Sequence, residues 1–139
     1  MVDRVRHSAS ARILSHLFRV ALTFVVATDL AQAASAYIRI NQVGYAASFT
    51  KRAYLMASGA ETGATFAVKN SSGTTVYSAA VGTSLGAWGT FTSVYALDFD
   101  SVSTAGTYTI SVAAPIAATS PAFKIDAAAN LYASPLANA

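Results

Sequence analysis

Beyond residue 36 the chain alternates apolar and polar side chains in short runs, interrupted by glycine, proline and small polar residues. A repeat of two puts successive side chains on opposite faces of a strand, so that one face enters a core while the other meets water. Residues 37–43 form the first run, with Ile38 and Ile40 alternating against Arg39 and Asn41 before Gly44 closes it. Residues 52–57 form a second. Residues 65–69 and 74–81 flank Asn70-Ser71-Ser72-Gly73, a polar insert ending in glycine, which predicts a hairpin whose Phe66 and Val68 share a face. Residues 91–99 are the longest run; Tyr95, Leu97 and Phe99 alternate with Val94, Ala96 and Asp98, and the pattern predicts a central strand. Residues 107–112 set Tyr108, Ile110 and Val112 on one side, and residues 122–125 supply a last strand. About seven short strands in roughly a hundred residues predict an all-β fold, an immunoglobulin-like β-sandwich whose two sheets bury their inner faces against each other. Tyr108 follows the turn Ser103-Thr104-Ala105-Gly106-Thr107, the setting of a structural tyrosine corner in which the hydroxyl bonds back to upstream backbone.

The two ends depart from this alternation. Arg4, Arg6, Arg12 and Arg19 precede an apolar run over residues 20–28, which small residues follow, the order of an export signal. A bilayer-spanning helix needs about 20 apolar residues, and Arg19 and Asp29 bracket a run too short for that, so no membrane anchor is expected. Cleavage after Ala33, at Ala31-Gln32-Ala33, is preferred to cleavage after Ala36, at Ala34-Ser35-Ala36. The chain is therefore expected to be secreted. At the other end, residues 127–139 are rich in alanine and leucine and predict a connector leading into a helix, with Pro135 placed in a first turn. The expected organisation is a signal peptide over 1–33, a sandwich over 34–126, and a linker or start of a further domain over 127–139.

Composition removes several function classes. The pI near 9.4 comes from the leader; from Tyr37 onward five basic side chains face four acidic ones, a net of +1. No basic stripe is left to neutralise phosphates, so nucleic acid is not an expected partner. With no cysteine there is no disulfide framework, and both histidines, His7 and His16, fall in the leader. The mature chain thus offers neither the imidazole of a serine hydrolase triad nor the usual zinc ligands, and no metal or other cofactor is expected. Four carboxylates remain, Glu61, Asp98, Asp100 and Asp126. Asp98 and Asp100 project to one face if their stretch is extended. They adjoin the turn at Ser101, where such carboxylates usually bond nearby backbone amides, and this reading is preferred to an acid/base pair or a calcium site. No catalytic residue is assigned.

The order Ile38-Arg39-Ile40-Asn41-Gln42-Val43-Gly44-Tyr45, followed by Lys51-Arg52 and an apolar strand, resembles the opening of the immunoglobulin-like domain that precedes the catalytic barrel of family-nine glycoside hydrolases, mostly cellulases. The resemblance continues through Val76-Tyr77, Leu97-Asp98-Phe99, Gly106-Thr107-Tyr108, Phe123-Lys124-Ile125-Asp126 and Leu131-Tyr132, and so spans the mature chain. It implies a non-catalytic scaffold that supports or positions an enzyme for β-1,4-linked glucan. In that family hydrolysis belongs to acidic residues of the barrel, so none of them is carried over to this chain.

The implied partner is that barrel, in cis. Asn41, Gln42 and Tyr45 are expected at the interface to it, because polar groups and a tyrosine at a strand end suit a wet contact surface. A free-standing carbohydrate-binding module is the alternative, with β-glucan as partner. It would use Trp88 in the loop Gly82-Thr83-Ser84-Leu85-Gly86-Ala87-Trp88-Gly89 to stack on a sugar ring. A lone tryptophan in such a loop more often covers the end of a core, and that is the expectation here. Tyr77, Phe91 and Tyr95 give no evident flat platform beside it, since Tyr77 lies on another strand and Tyr95 alternates with the core set. Asn70-Ser71-Ser72 has the form of a glycosylation acceptor and is read as a turn.

Overall fold

The computed structural model describes residues 33–137. The expected leader, Ala33 apart, lies outside the described residues, among which no helix is long and apolar enough to cross a membrane.

Among the described residues nine strands and one helix follow in order: β1 (Ala36–Arg39), β2 (Tyr45–Ala46), β3 (Arg52–Ala57), β4 (Thr65–Asn70), β5 (Thr75–Ala80), β6 (Ser93–Asp98), β7 (Gly106–Val112), β8 (Ala118–Thr119), β9 (Phe123–Asp126) and α1 (Ala128–Ala137). They make a sandwich of a three-stranded sheet, β1-β3-β6, and a six-stranded sheet, β2-β9-β7-β4-β5, with β8 beside β7. The inward set of the alternation forms its core. Leu55, Phe66, Val68, Leu97, Phe99, Ile110 and Ile125 are each 2% exposed or less, and burial of apolar side chains like these contributes roughly 1.5–3 kcal/mol apiece.

The β4–β5 hairpin shows how local chemistry sets register. Asn70 Oδ1 accepts the N–H groups of Ser72 (3.2 Å) and Thr74 (2.9 Å), while Gly73 takes φ +81°, a conformation that favours glycine. The asparagine of the glycosylation-like triplet thus braces its own turn through Oδ1. Tyr108, on β7, donates its hydroxyl to the Thr104 carbonyl at 2.9 Å and pins the turn that leads into the strand.

Three expectations need correction. β6 is an edge strand, not a central one, because β3 lies between it and β1; its free side takes backbone bonds from the loop before it, Leu85 N–H to Val94 O and Val94 N–H to Gly86 O. β2 and β8 are two-residue strands that no alternation could announce. Pro135 falls in the last turn of α1 and not its first.

Candidate functional site at the helix junction and the aromatic sheet face

The segment from Asn41 to Tyr45 is a folded turn on the way from β1 to β2. Asn41 Oδ1 accepts the Val43 N–H at 3.1 Å, and the Asn41 carbonyl accepts the Gly44 N–H, also at 3.1 Å. The Tyr45 hydroxyl accepts the Asn41 N–H and donates to the Arg52 carbonyl, both at 2.9 Å. Its ring sits edge-on to Phe99 and Phe123, with centroids 5.1 and 5.3 Å away, and the residue is only 7% exposed. Burial raises the phenol above its ordinary value, so it stays protonated and able to donate. Tyr45 therefore cannot be the contact anchor expected of it: its ring belongs to the core, and its hydroxyl ties the β1–β2 turn to β3. Asn41 is exposed but bonds its own loop, and Gln42 is exposed.

Helix α1 rests on β2 and β9 at this place. Leu131 is buried, and its Cδ2 approaches so closely that a Cβ on Gly44 would lie 2.9 Å from it and 2.7 Å from the Lys124 carbonyl oxygen. Gly44 also has φ +110°, where other residues are strained. Asp126 links three pieces. Its carbonyl accepts the Ala47 N–H at 2.8 Å, and Oδ1 accepts the Ala127 N–H at 2.7 Å and the Asn130 amide at 2.8 Å. These bonds hold the Asp126 carboxyl below its usual range, the Asn130 side chain first among them. The loop after β2 is fixed by Lys51, which is 1% exposed and donates Nζ to the carbonyls of Ala47 (3.1 Å) and Phe49 (2.8 Å). A buried ammonium is tolerated only when its donors are satisfied. The side chains left outward around this junction are Val43, Phe49 and Tyr132, at 47%, 65% and 42% exposure.

The outer face of the three-stranded sheet is the second candidate. Register sets Tyr37 beside Met56 and Met56 beside Val94; in the next row Arg39 lies beside Tyr54 and Tyr54 beside Ala96. Trp88 reaches this face from the loop before β6 and is 68% exposed, so it does not cover the core end as expected. The cause is the pairing of the loop with β6, which carries the indole along the outside of the sheet. Arg39, Tyr54, Met56, Trp88 and Val94 line a groove of about 410 Å³. Tyr77 packs on Phe66 and Tyr95 is buried, so neither joins Trp88. Tyr37 and Tyr54 were the aromatics to notice, and the signal was present: each occupies the outward position of an alternating run.

The four carboxylates of the described residues all have structural surroundings. Asp98 takes Arg52 in a bidentate pair, Nε to Oδ1 at 2.6 Å and the terminal nitrogen to Oδ2 at 2.9 Å, which lowers its pKa. Asp100 accepts the Lys51 N–H. The expected bonding to amides of the adjoining turn is thus replaced by an arginine and by an amide of the neighbouring strand's start. Glu61 is buried; Oε2 accepts a long bond of 3.4 Å from the Ile116 N–H and Oε1 has no partner. Burial raises its pKa. No cluster of three or more metal-ligating side chains occurs among the described residues.

The family model described as the cellulase N-terminal Ig-like domain matches residues 33–115. Among solved structures the chain is similar to a GH9 protein of Bacteroides ovatus, at 30% identity and a TM-score of 0.54 over 73% of this chain and 17% of that one. It is also similar to the GH family 9 endoglucanase J30 and to a triple mutant of it, each at 25% identity and a TM-score of 0.48, over 58% of this chain and 14% of the other. The chain thus spans less than a fifth of the length of these relatives. No curated protein sequence matches it.

Proposed function

The chain belongs to the cellulase N-terminal Ig-like domain family, and from that premise we propose that it is the non-catalytic module of a secreted family-nine glycoside hydrolase acting on β-1,4-glucan. Its task is to hold the hydrolase domain in a fixed orientation. One observation carries this reading: α1, the element that leaves the sandwich, is seated by Leu131 against Gly44 and cannot swing as a loose tether would. Asp126 supports it by bonding the start of the helix through its carboxylate and the Lys51-braced loop through its carbonyl. The outward Val43, Phe49 and Tyr132 supply apolar contact around that seat, with Gln42 at its polar rim. An interface of this kind within one chain covers roughly 600–1,500 Å². Secretion rests on the order of basic, apolar and small residues over 1–33.

Calorimetry on the chain joined at Ala139 to a family-nine hydrolase domain tests the proposal. A rigid junction gives one cooperative transition, and Leu131→Ser separates it into two. Two independent transitions in the unmutated protein would sink the scaffold reading. The chain without that domain is expected to release no sugar from β-glucan, since its carboxylates are engaged or buried and it has no imidazole in residues 34–139.

A further inference from the structure

The groove on the three-stranded sheet has no part in the helix junction, yet it carries the most exposed large hydrophobic side chain among the described residues. Trp88 is 68% exposed although its loop is well tied: Trp88 and Phe91 exchange backbone bonds of 3.0 and 3.1 Å, and Leu85 and Val94 bond at 2.7 Å. Phe91 in turn packs edge-on against Tyr37 at 5.7 Å. A loop built this firmly has a ready apolar sheet beside it, so an indole left in water marks a surface kept for contact.

The chemistry of the face changes along the strands. At one end are Trp88, Val94 and the nearly buried Met56; at the middle are Tyr54 and Arg39; at the far end lies the exposed Arg52–Asp98 pair, whose remaining N–H groups and carboxylate lone pairs can make further hydrogen bonds. From Met56 to Arg52 the strand runs four residues, roughly 13 Å at about 3.3 Å per residue. The Arg52–Asp98 pair is neutral as a unit, so the charge left on the face is the single cation of Arg39. An extended ligand that fits has apolar C–H faces for the indole and hydroxyls for the arginines and the carboxylate; one lone cation beside an ion pair makes no site for a polyanion. We propose that this face binds a neutral oligosaccharide chain, one pyranose ring lying on Trp88 and the hydroxyls of the next rings meeting Tyr54, Arg39 and the Arg52–Asp98 pair. A protein partner fits less well: the groove presents five residues at about 410 Å³, within the size of a small-ligand cleft, whereas a stable protein interface takes roughly 20–30 residues a side.

Native affinity electrophoresis of the whole chain in gels containing hydroxyethylcellulose, glucomannan or xylan tests the proposal. At least one polymer retards the unmutated chain. Trp88→Ala weakens that retardation by about tenfold or more, as expected for an aromatic anchor, without changing the melting temperature. Arg52→Gln weakens it less, and Phe49→Ala, at the helix junction, leaves it intact. No retardation in any of the three gels overturns the proposal, as does retardation that Trp88→Ala leaves unchanged. Loss of cohesion with an appended hydrolase domain on Trp88→Ala, with no retardation by any polymer, identifies a protein-docking face and also overturns it. The calorimetric behaviour of Leu131→Ser is independent of all these outcomes, so the scaffold reading and the glycan site can fail separately.

Discussion

Tyr45, the first residue of β2, and Trp88, in the loop before β6, each adjoin a glycine, and the structure gives them opposite fates, 7% against 68% exposed. Around Tyr45 the backbone turns inward. Gly44 at φ +110° lets the loop fold under α1, and the phenol becomes a brace between Asn41 and Arg52. Around Trp88 the loop instead runs antiparallel to β6, and its backbone bonds to Val94 keep it on the outside of the sheet. An aromatic that serves the fold has its polar atom satisfied by backbone; one left in water has a face to offer. The difference places the stability of the module at the junction and its ligand chemistry on the sheet.

Truncating the brace is the severest way to test that contrast. Tyr45→Ala removes a ring packed on Phe99 and Phe123 and is expected to lower stability by about 3–5 kcal/mol, read from the urea midpoint of the module alone. Tyr45→Phe, which keeps the ring, should lose only about 1–3 kcal/mol, from the buried partners left behind. If Tyr45→Ala melted like the unmutated chain, the residue would be surface after all.

Next in size is Gly44→Ala. A Cβ there meets the Lys124 carbonyl at 2.7 Å in a backbone conformation that disfavours it, so a loss on the order of 1–3 kcal/mol is expected. The far-UV circular dichroism of α1 should fall with it. Unchanged helicity would show that the helix does not depend on this seat.

A smaller effect lies behind β6, the strand that anchors the Trp88 loop. Glu61 is buried with Oε1 unpartnered, and Tyr95 of β6 accepts its N–H at 2.9 Å. Because burial raises its folded pKa, its contribution to stability is full below the ordinary carboxylate range and is lost as pH rises through the raised value. Glu61→Gln should therefore stabilise the module at neutral pH by about 1 kcal/mol and converge with the unmutated chain in acid. A difference that grew toward low pH would contradict the burial argument. Smallest of all is the other pole of the comparison: Trp88→Ala should shift stability by no more than about 0.5 kcal/mol, in contrast with its effect on glycan retardation. A large loss of melting temperature would mean that the indole serves the core.

The inward-facing alternation of Tyr95-Leu97-Phe99 and Tyr108-Ile110-Val112, and the Asn70 hairpin, were legible in the chain because each depends on residues a few positions apart. The same alternation marked Tyr37 and Tyr54 as outward, but that they lie on one face near Trp88 follows only from the pairing of β1, β3 and β6. The asparagine-glutamine-x-glycine-tyrosine order announced the family and the importance of the loop at Gly44, yet not that its tyrosine turns into the core. That was decided by residues distant in sequence: Phe99 and Phe123 receive its ring and the Arg52 carbonyl its hydroxyl. Period and turn chemistry are local properties and can be read from neighbours in sequence. Exposure of a loop side chain depends on what distant segments cover, and only tertiary packing supplies them.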